Sequence, residues 1–489
     1  MPFLPVILWT DALIFLLAAV VVATTIYTRR QAHLLSAWRR VGESRAGMSA
    51  LAVLVLFVCV GMLDSLHYRP RLDRVETQVP AAANAAAKAE VAYAVEVLSA
   101  FDALAAGLRA RTEKTYSAPL ATHSYAKENL ERSDGTTYRD FPRLKYGGAH
   151  LKNVPAGWVP DVAMTALRGL GMGFVFWLTA AGGLCLVLGY RHGTTPGATW
   201  RTIVGHDMDM AWGAVLWTLA VVLTLLGPVA ALAANYHVFG TDKVGQDVLY
   251  LTLKSIRTAL VIGTITTLVM LPFAVALGIM AGYFGGWVDD VIQYLYTTLN
   301  SIPGVLLIAA AVLMMQVVID NHAEWFTTAA ERADARLLAL CFILGVTSWT
   351  GLCRLLRGET LKLRELEYVQ AAQAFGVTNA RIMARHLLPN VMHIVLIAVV
   401  MDFSGLVLAE AVLSYVGIGV DPNTISFGTM INTARMELSR EPVVWWSLAA
   451  AFVFMFVLVL AANLFSDAVR DAFDPRVMTR PRKAVMAAA

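Results

Sequence analysis

Charged residues are scarce in this chain: Asp, Glu, Lys and Arg make up 15% of 489 residues, whereas hydrophobic residues make up 58%. A soluble globular domain carries about 25% charged residues, so the composition excludes an ordinary soluble protein and predicts one that lies in a membrane. The net charge of +4 is small for this length. Its basic residues lie between apolar runs rather than in one stripe, which argues against DNA or RNA as a partner.

Cysteine is rare as well, and its spacing does not indicate a site. The four cysteines lie singly, without the paired spacing of a zinc site or a disulfide framework, at Cys59, Cys185, Cys341 and Cys353. No Gly-Lys pair occurs, which excludes the usual phosphate-binding loop of a nucleotide hydrolase. The ten histidines are scattered, and no two carboxylates have the spacing of an acid and base pair on one helix face. The sequence therefore predicts no catalytic residue and no metal site.

Long apolar runs are the feature that the chain has in abundance. Lipid offers the backbone no hydrogen-bond partners, so a run of about twenty apolar residues crosses a bilayer only as a helix. About nine such runs occur, at Pro5–Tyr27, Met48–Leu66, Ala166–Tyr190, Ala211–Ala234, Ala259–Tyr283, Val291–Met315, Leu337–Leu352, Val391–Tyr415 and Val444–Leu464. The first has no Lys or Arg before Arg29, unlike a secretory signal, and we interpret it as a membrane helix. The predicted fold class is all-α and polytopic.

Basic residues between the runs predict the orientation. They favour the cytoplasmic side, because they resist translocation and are attracted to the anionic inner leaflet. The basic loops contain Arg29, Arg30, Arg39, Arg40 and Arg45; Arg191 and Arg201; Arg354 to Arg385; and Arg470 to Lys483. We therefore expect an outer N-terminus and a cytoplasmic C-terminus.

This orientation divides the chain into parts. The predicted parts are two helices in 1–66, an insertion on the outer face in 67–165, a third helix and cytoplasmic linker in 166–210, a six-helix core in 211–476 and a cytoplasmic tail in 477–489. In the insertion, apolar residues at three- and four-residue steps predict one helix with a single apolar stripe. They are Val91, Val95, Leu98, Phe101, Leu104 and Leu108. The stretch Tyr116–Leu151 contains the turn signals Asp134-Gly135 and Gly147-Gly148 and predicts an ordered cap with little regular structure.

The charged hairpin 361–390, between the seventh and eighth runs, is the most informative segment. Leu361 to Phe375 is predicted to form a short helix, which Gly376 ends in the left-handed conformation. Thr378 is expected to cap the helix that follows. Pro389 has no amide hydrogen and suits the boundary between that second helix and the next span.

The first helix of the hairpin also has the surface of a docking element. Ala371 and Ala372 keep one face small, so the groove of another protein can approach the backbone. Tyr368 and Phe375 flank that face and are expected to anchor in the groove. The pattern predicts an element that transmits force between proteins.

The hairpin resembles the cytoplasmic signature of the permease subunits of bacterial ABC importers. That signature is Glu-Ala-Ala, a Gly four positions after the second Ala, and a distant Leu-Pro. The residues that match its spacing are Gln370, Ala371, Ala372, Gly376, Leu388 and Pro389. Gln370 stands where the family has Glu, so a salt bridge made by that Glu is not carried over. The resemblance implies that these residues, with Tyr368 and Phe375, couple the chain to an ATPase.

Further segments resemble the second, C-type permease of oligopeptide and dipeptide importers, over about half the chain. They are FGTDKVGQDVL at Phe239–Leu249, AGYFGGWVDDVI at Ala281–Ile292, LNSIPG at Leu299–Gly304, LVLAEAVLSYVGIGVDP at Leu406–Pro422, FGTMI at Phe427–Ile431 and FDPR at Phe473–Arg476. The first contains the family's outer-face turn, with Gln246 in place of the usual Arg. Its matching residues are Gly240, Thr241, Asp242, Gly245 and Asp247.

The resemblance also implies partners. A second, homologous permease would complete a heterodimeric pore in the lipid of the bacterial inner membrane, and a periplasmic substrate-binding protein would dock outside. Two ATPase subunits would bind ATP and Mg, and this chain would bind no cofactor. ATP-driven closure of those subunits would tilt the spans between inward-open and outward-open states.

Several polar residues are candidates for the translocation pathway. Asn300, Ser301 and Pro303 interrupt an apolar run, and the freed carbonyls either line a water-filled pathway or simply accompany a helix kink. A charge deep in a membrane helix costs about 2.5–3.5 kcal/mol, so Asp402 and Glu410 need partners or water. Each can line the pathway or bond to a neighbouring helix of the same subunit, which is favoured for Glu410.

The substrate stays open at this stage. The resemblance implies short peptides, but the same type of permease serves nickel complexes, opines and sugar–peptide conjugates. A membrane-bound sensor or assembly protein without substrate flux is an alternative of another class. A passive channel would have no use for the hairpin.

Overall fold

The computed structural model describes residues 3–71, 93–131, 137–205 and 208–473. The N-terminal part contains strand β1 (Phe3–Val6), helices α1 (Trp9–Thr28), α2 (Ala32–Glu43) and α3 (Arg45–Asp64), and strand β2 (His67–Pro70). The insertion contributes strand β3 (Leu98–Ser99), helices α4 (Ala100–Leu104) and α5 (Ala106–Arg109), and strands β4 (Glu128–Glu131) and β5 (Thr137–Asp140). Helices α6 (Val154–His192) and α7 (Pro196–Gly205) follow.

The core contains the remaining helices. They are α8 (Trp212–Ala233), α9 (Val248–Phe284), α10 (Gly286–Ser301), α11 (Gly304–Asn321), α12 (Ala329–Ser348), α13 (Thr350–Arg364), α14 (Glu367–Ala374), α15 (Asn379–Ile382), α16 (Leu388–Val416), α17 (Phe427–Glu437) and α18 (Trp446–Phe473). A short 3₁₀ helix at Ala323–Trp325 precedes α12, and a π-helical turn at Met383–Leu387 joins α15 to α16. Residues 474–476 of the predicted FDPR ending and the predicted tail lie outside the described residues.

Nine helices in the described ranges are long and apolar enough to cross a membrane, which confirms the predicted all-α polytopic fold. They are Trp9–Ile26, Arg45–Asp64, Ala156–His192, Trp212–Ala233, Val248–Phe284, Gly304–Asn321, Ala329–Arg364, Asn379–Val416 and Trp446–Phe473. The last six follow residue 211 and correspond to the six-helix core.

Several spans have other bounds than predicted; for example, α9 begins at Val248 rather than Ala259, and the seventh span ends at Arg364 rather than Leu352. The sixth was expected at Val291–Met315, but α10 ends at Ser301 and the spanning helix α11 begins at Gly304. Ile302 between them is extended, because a residue before proline avoids the helical conformation. The third begins at Val154 rather than Ala166, since Pro155 lies in the first helical turn, where its missing amide hydrogen costs nothing.

The prediction that one helix carries the apolar stripe from Val91 to Leu108 is wrong. Only α4 and α5 form there, and Val95 and Leu104 of the predicted stripe are each 74% exposed; Val91 lies outside the described residues. The reason is a capping box, in which Ser99 Oγ accepts from the Asp102 amide and Asp102 accepts from the Ser99 amide, each at 3.0 Å. This pair starts the helix at Ala100 and leaves the preceding residues extended.

The described residues of Tyr116–Leu151 are irregular, as predicted, apart from one hairpin; the turn signal Asp134-Gly135 lies outside the described residues. Strands β4 and β5 pair antiparallel, with Glu128 opposite Asp140. A three-stranded antiparallel sheet in the order β1, β2, β3 joins the start of α1, the end of α3 and the insertion. The sheet places the N-terminus on the same side of the molecule as the insertion.

Glycines bring the third span against the first core helix. A Cβ at Gly169 or Gly173 of α6 would overlap the backbone of α8, and one at Gly227 of α8 would overlap Gly169. A Gly-x-x-x-Gly spacing allows helix backbones to approach this closely within a membrane. We call the first three spans the N-terminal extension. Its third span is therefore packed on the core.

Ion pairs connect α1, α3 and the insertion to α9. Arg257 of α9 donates to Asp11 of α1 at 2.6 Å, and Lys254 donates to Asp102 of the insertion at 2.5 Å. Lys254 also lies 3.4 Å from Asp64 of α3. Because unpaired charges are costly at such positions, the two cations of α9 need acids from three segments of the extension and insertion.

Candidate functional site

The hairpin 361–390 is built from two helices that meet at a bend. The helix predicted for Leu361 to Phe375 is interrupted: α13 continues from the preceding span to Arg364, and α14 begins only at Glu367. Leu366 is extended at the break. Gln370 Nε2 donates to the Glu365 carbonyl at 3.2 Å, so it satisfies a carbonyl at the end of α13. The carboxylate of the family's Glu has no proton to donate there.

Gly376 ends α14 as predicted. Its φ is +72°. Its amide donates to the Gln373 carbonyl at 2.9 Å, and the Val377 amide donates to the Ala372 carbonyl at 3.1 Å. These two bonds form a Schellman motif, which needs a residue in the left-handed conformation. Thr378 occupies the N-cap position of α15, but its side chain accepts no hydrogen bond from that helix.

Tyr283, near the end of α9, makes hydrogen bonds to the helices on both sides of the bend. Its hydroxyl donates to Asn379 Oδ1 at 2.9 Å and accepts from Gln373 Nε2 at 3.3 Å. Arg364 Nη1 donates to the Tyr283 carbonyl at 3.3 Å. One tyrosine therefore connects the end of α13, helix α14 and helix α15, and sequence reasoning missed it because these contacts join distant segments.

The predicted boundary at Pro389 coincides with the start of α16, but the helical path is not broken there. Pro389 lies in the first turn of α16, and the chain is helical without a gap from Asn379, through the π turn, to Val416. A proline in a helix leaves a carbonyl four residues earlier without its donor and crowds it, and the wider π turn accommodates this. Asn390 Nδ2 donates to the neighbouring His386 carbonyl at 2.6 Å.

The hairpin has a buried face and an exposed face. Val369, Ala372 and Ile382 are buried in a hydrophobic cluster that also contains residues of α9, α10, α13 and α16. Phe375 is 87% exposed, and Leu366 and Tyr368 are about half as exposed, at 44% and 42%. Ala371 also lies on the exposed face. An apolar residue exposed to this degree beside a small helix surface is typical of a site that another protein covers.

The predicted pathway residues around the α10–α11 break are exposed. Asn300, Ser301 and Pro303 all lie on the surface of the chain. Asn300 Oδ1 accepts from Thr350 Oγ1 at 3.1 Å, and Ser301 Oγ donates to the Thr297 carbonyl at 2.8 Å. Their role in the pathway stays a prediction.

The two acids of α16 have different surroundings. Glu410 is 2% exposed and accepts from Ser414 Oγ at 2.6 Å and from Ser426 Oγ at 3.0 Å. Ser426 is the N-cap of α17, so Glu410 supports the start of that helix. Asp402 is half-buried and makes no hydrogen bond or ion pair with any described residue. The geometry thus favours a structural role for Glu410 and leaves Asp402 available.

The predicted outer-face turn lies beneath the insertion. Thr241 is fully buried, and its hydroxyl accepts from the Ser117 amide at 2.6 Å and donates to the Thr115 carbonyl at 2.9 Å. Gly240 and Gly245 have φ of +71° and +81°, and a Cβ on either would overlap the backbone of the insertion. Asp242 accepts from the amides inside the turn.

His237 connects this turn to the insertion, and sequence reasoning missed it. Its Nδ1 lies 2.7 Å from Asp247 Oδ2, and its Nε2 lies 3.4 Å from Glu113 Oε1, all three side chains being buried. Burial lowers the pKa of His237, but the hydrogen bonds and charges of the two acids outweigh it and raise the pKa from 6.5 to about 9. Asp247 also caps α9 through the Leu249 amide at 2.9 Å.

Glu113 is ionised in this arrangement. Burial opposes its ionisation, but His237 and the amides of Lys145, Tyr146 and Gly147 donate to it. These bonds lower the pKa of Glu113 from 4.5 to about 2. A charged histidine between two carboxylates therefore locks the insertion onto the turn before α9.

Comparison with known proteins agrees with this architecture. Residues 274–479 match the family described as binding-protein-dependent transport system inner membrane component. The oligopeptide transport system permease protein OppC of Mycobacterium tuberculosis (strain ATCC 25618 / H37Rv) is 32% identical over 239 residues, which cover 49% of this chain and 76% of that protein. The dipeptide transport system permease protein DppC of Bacillus subtilis (strain 168) is 27% identical over 291 residues, or 57% and 85% of the two chains.

A relative with a different printed substrate is about as similar. The glutathione transport system permease protein GsiD of Pectobacterium atrosepticum is 30% identical over 246 residues, or 50% of this chain and 74% of that protein. The fold and the hairpin thus define a multi-pass inner-membrane permease, which is not itself an ATPase. The chain belongs to the family of binding-protein-dependent transport system inner membrane components.

Proposed function

We propose that this chain is the channel-forming permease subunit of an ATP-driven importer of short peptides. The observation that carries the proposal is the hairpin, with its Schellman turn at Gly376 and its exposed Phe375. Helix α14 inserts into a groove on an ATPase subunit, and Phe375 anchors it there. Closure of the ATPase pair on ATP and Mg then moves α14 and the spans attached to it.

The other partners follow from the family. A second, homologous permease supplies the other half of the pore, and a substrate-binding protein delivers substrate to the outer face. ATP and Mg bind to the two ATPase subunits, while this chain contributes half of the pore and the hairpin that receives the motion. The N-terminus and the insertion lie outside, and the hairpin and the C-terminus lie in the cytoplasm, as the basic loops predict.

The substrate is the part of the proposal that the relatives support most directly. Two of them are named for oligopeptides and dipeptides, and a third for glutathione, itself a small peptide. Nickel complexes, opines and sugar–peptide conjugates are the alternatives within the same class of importer. Asp402 is our candidate for a side chain facing the pathway, since it has no partner among the described residues.

Purification of the tagged chain in mild detergent tests the proposal. We expect it to recover two ATPase subunits and a second permease, and the reconstituted complex to accumulate labelled di- and tripeptides only with ATP. Recovery of no ATPase, or uptake that does not depend on ATP, would overturn it. The ligand captured by the binding protein decides between peptides and the alternatives.

Orientation is tested by cysteine labelling. An impermeant maleimide should label Phe375→Cys only from the cytoplasmic side of the membrane. The matched control is Val244→Cys in the outer turn, which is 68% exposed and should label only from outside. Labelling of Phe375→Cys in intact cells would contradict the topology.

A further inference from the structure

The helices around the hairpin belong to two separate hydrophobic clusters. The cluster on the side of the hairpin contains buried residues of α9, α10, α13, α14 and α16; we call it the hairpin-side cluster. Its members include Tyr283, Ile292, Leu356, Val369 and Val391. The far-side cluster joins the first half of α9 to α11, α12 and the end of α16. Its members include Ile265, Val312, Leu340, Leu344 and Leu413.

Three of the four helix paths that cross between the two clusters have a helix end or a proline at the crossing, whereas α16 is continuous. In α9, Val269 packs on the far-side cluster and Leu271 on the hairpin-side cluster, and Pro272 follows immediately. Helices α10 and α11 are separated at Ile302, which is extended, and α12 and α13 meet at the single residue Trp349, which keeps helical backbone angles within the span Ala329–Arg364. Prolines and helix ends are the positions where a chain bends at low cost.

Two of these breaks are connected. The Thr350 hydroxyl, just after the break at Trp349, donates to Asn300 Oδ1, just before the break at Ile302, at 3.1 Å. The two breaks therefore lie at the same level of the molecule. Helix α16 runs from the hairpin-side cluster at Val399 to the far-side cluster at Leu413, and Asp402, which has no partner among the described residues, lies between them.

Beyond the breaks, α10 and α13 are fixed to one another. Arg357 of α13 donates twice to Asp289 of α10, at 2.6 and 2.7 Å. The Arg354 guanidinium lies 5.5 Å from the centre of the Tyr296 ring. A bidentate pair holds its two helices in one orientation, because both ends of the planar guanidinium are fixed.

Helix α9 joins the same unit by close packing. A Cβ at Gly278 would lie 2.8 Å from the Cys353 carbonyl oxygen, and one at Gly282 would lie 2.8 Å from the Arg357 carbonyl oxygen. Glycine at both positions lets the backbones of α9 and α13 touch. The inner ends of α9, α10 and α13 therefore form one compact body with α14.

We infer that the breaks form one hinge level, at which the hairpin-side body of α10, α13, α14 and the end of α9 swings as a unit against α11 and α12. The inference rests on the proposed coupling function. Asp289 and Arg357 are positioning residues, since they make α10 follow α13 when the ATPase moves α14. The motion then reaches α11 at Ser301–Pro303, and Asp402 lies on α16 between the two clusters.

Distances between spin labels test the inference on the assembled complex in lipid nanodiscs. Cys59 is the exposed one of the four cysteines and is replaced by alanine. One pair, Tyr294→Cys with Leu355→Cys, lies within the hairpin-side body, and a second, Met314→Cys with Phe342→Cys, lies beyond the hinge. A third, Tyr294→Cys with Met314→Cys, spans it; all four positions are more than half exposed.

Addition of ATP and vanadate should shift only the spanning distance, by more than about 2 Å. A comparable shift within either body, or an unchanged spanning distance in a complex that transports, would overturn the inference. A complex that binds no ATPase at all would instead count against the proposed function. The two failures are thereby distinguishable.

Substitution of the pair provides a second readout. Arg357→Gln should lower peptide uptake about tenfold while ATP hydrolysis persists, because α10 no longer follows α13. The exchanged pair Asp289→Arg with Arg357→Asp should restore part of the uptake, whereas loss of a merely local contact would not be rescued. Lys362→Gln removes the same charge from the exposed face of α13 and should transport normally. Normal uptake by Arg357→Gln would contradict the coupling role.

Discussion

The side-chain amide of Asn390 donates a hydrogen bond to the hydroxyl of Tyr368 at 3.0 Å. This bond ties α14, the first helix of the hairpin, to the first turn of α16. The same amide also donates to the His386 carbonyl in the π turn. A displacement of α14 therefore acts directly on the eighth span, and the π turn that accommodates Pro389 forms part of that connection.

The Gly376 turn provides the first prediction. In Gly376→Val, a β-branched residue must adopt φ near +72° at a position where no atom lies within 4 Å of the new Cβ. The cost of roughly 1–2 kcal/mol comes from the backbone conformation alone. We expect uptake to fall about tenfold while the complex assembles and hydrolyses ATP. Gly376→Asn tolerates the left-handed conformation and should retain more uptake; equal loss in both variants would contradict this explanation.

The exposed side chain of Phe375 provides the second prediction. The ring is 87% exposed, so Phe375→Ala removes almost no internal contact and should leave the thermal midpoint of the isolated chain unchanged. Co-purification of the ATPase should fall about tenfold, because an aromatic anchor is lost. Trp9→Ala, at a residue 73% exposed near the opposite end, is the control. Undiminished ATPase recovery with Phe375→Ala would show that the groove is elsewhere.

A third experiment should distinguish the roles of the two acids of α16. Glu410→Ala removes the acceptor for Ser414 and Ser426 and should destabilise the chain by about 1–3 kcal/mol. Asp402→Asn breaks no bond to any residue that the structure describes, and we expect an unchanged thermal midpoint with altered uptake. The measurement is thermal unfolding in detergent beside peptide uptake in liposomes. A stability loss from Asp402→Asn would remove that residue from the pathway.

The position of His237 between Asp247 and Glu113 predicts that the stability of the chain depends on pH. The folded-state pKa of His237, about 9, exceeds its ordinary value of 6.5, so its contribution to stability is complete below pH 6.5 and disappears as the pH rises through 9. Glu113, with its pKa lowered to about 2, contributes throughout this range. His237→Gln should therefore lower the thermal midpoint at pH 6 and converge with the unsubstituted protein near pH 10. A constant difference across this range would contradict a charged His237.

The role of the insertion needs a variant milder than its deletion. Removing 67–165 would take Asp102 from Lys254 and Glu113 from His237, so loss of capture could reflect misfolding. Phe141 in the insertion is 42% exposed, and Phe141→Ala changes only the surface. If the insertion extends the docking surface, the half-saturating concentration of binding protein should rise about tenfold at unchanged basal ATPase activity. An unchanged concentration would assign the insertion a purely structural role.

Local signals in the sequence predicted most of the spans and the hairpin bend. Apolar runs located the helices, because lipid forces the backbone into helices wherever such a run occurs. Gly376 was correctly predicted, since a left-handed position favours glycine regardless of its neighbours. The break at Leu366 and the continuity through Pro389 were not, because the Gln370 side chain and the π turn resolve local conflicts that composition does not reveal.

Contacts between distant segments account for what sequence reasoning missed. Tyr283, His237 and Glu113 carry no motif, and each acquires its role only when separate segments meet. The outer turn is a similar case. Its residues match the family, but the insertion that covers them lies in a distant part of the sequence. The coupling and pathway residues stay predictions until the variants above are measured.

Asp11 and Arg257 are separated by 246 positions in the chain, and this spacing has a consequence for biosynthesis. Helices α1 and α3 leave the ribosome long before α9 exists. Until then Asp11 and Asp64 enter the bilayer without the cations that neutralise them. The ion pairs that hold α1 and α3 against the core can therefore form only after α9 has been synthesised.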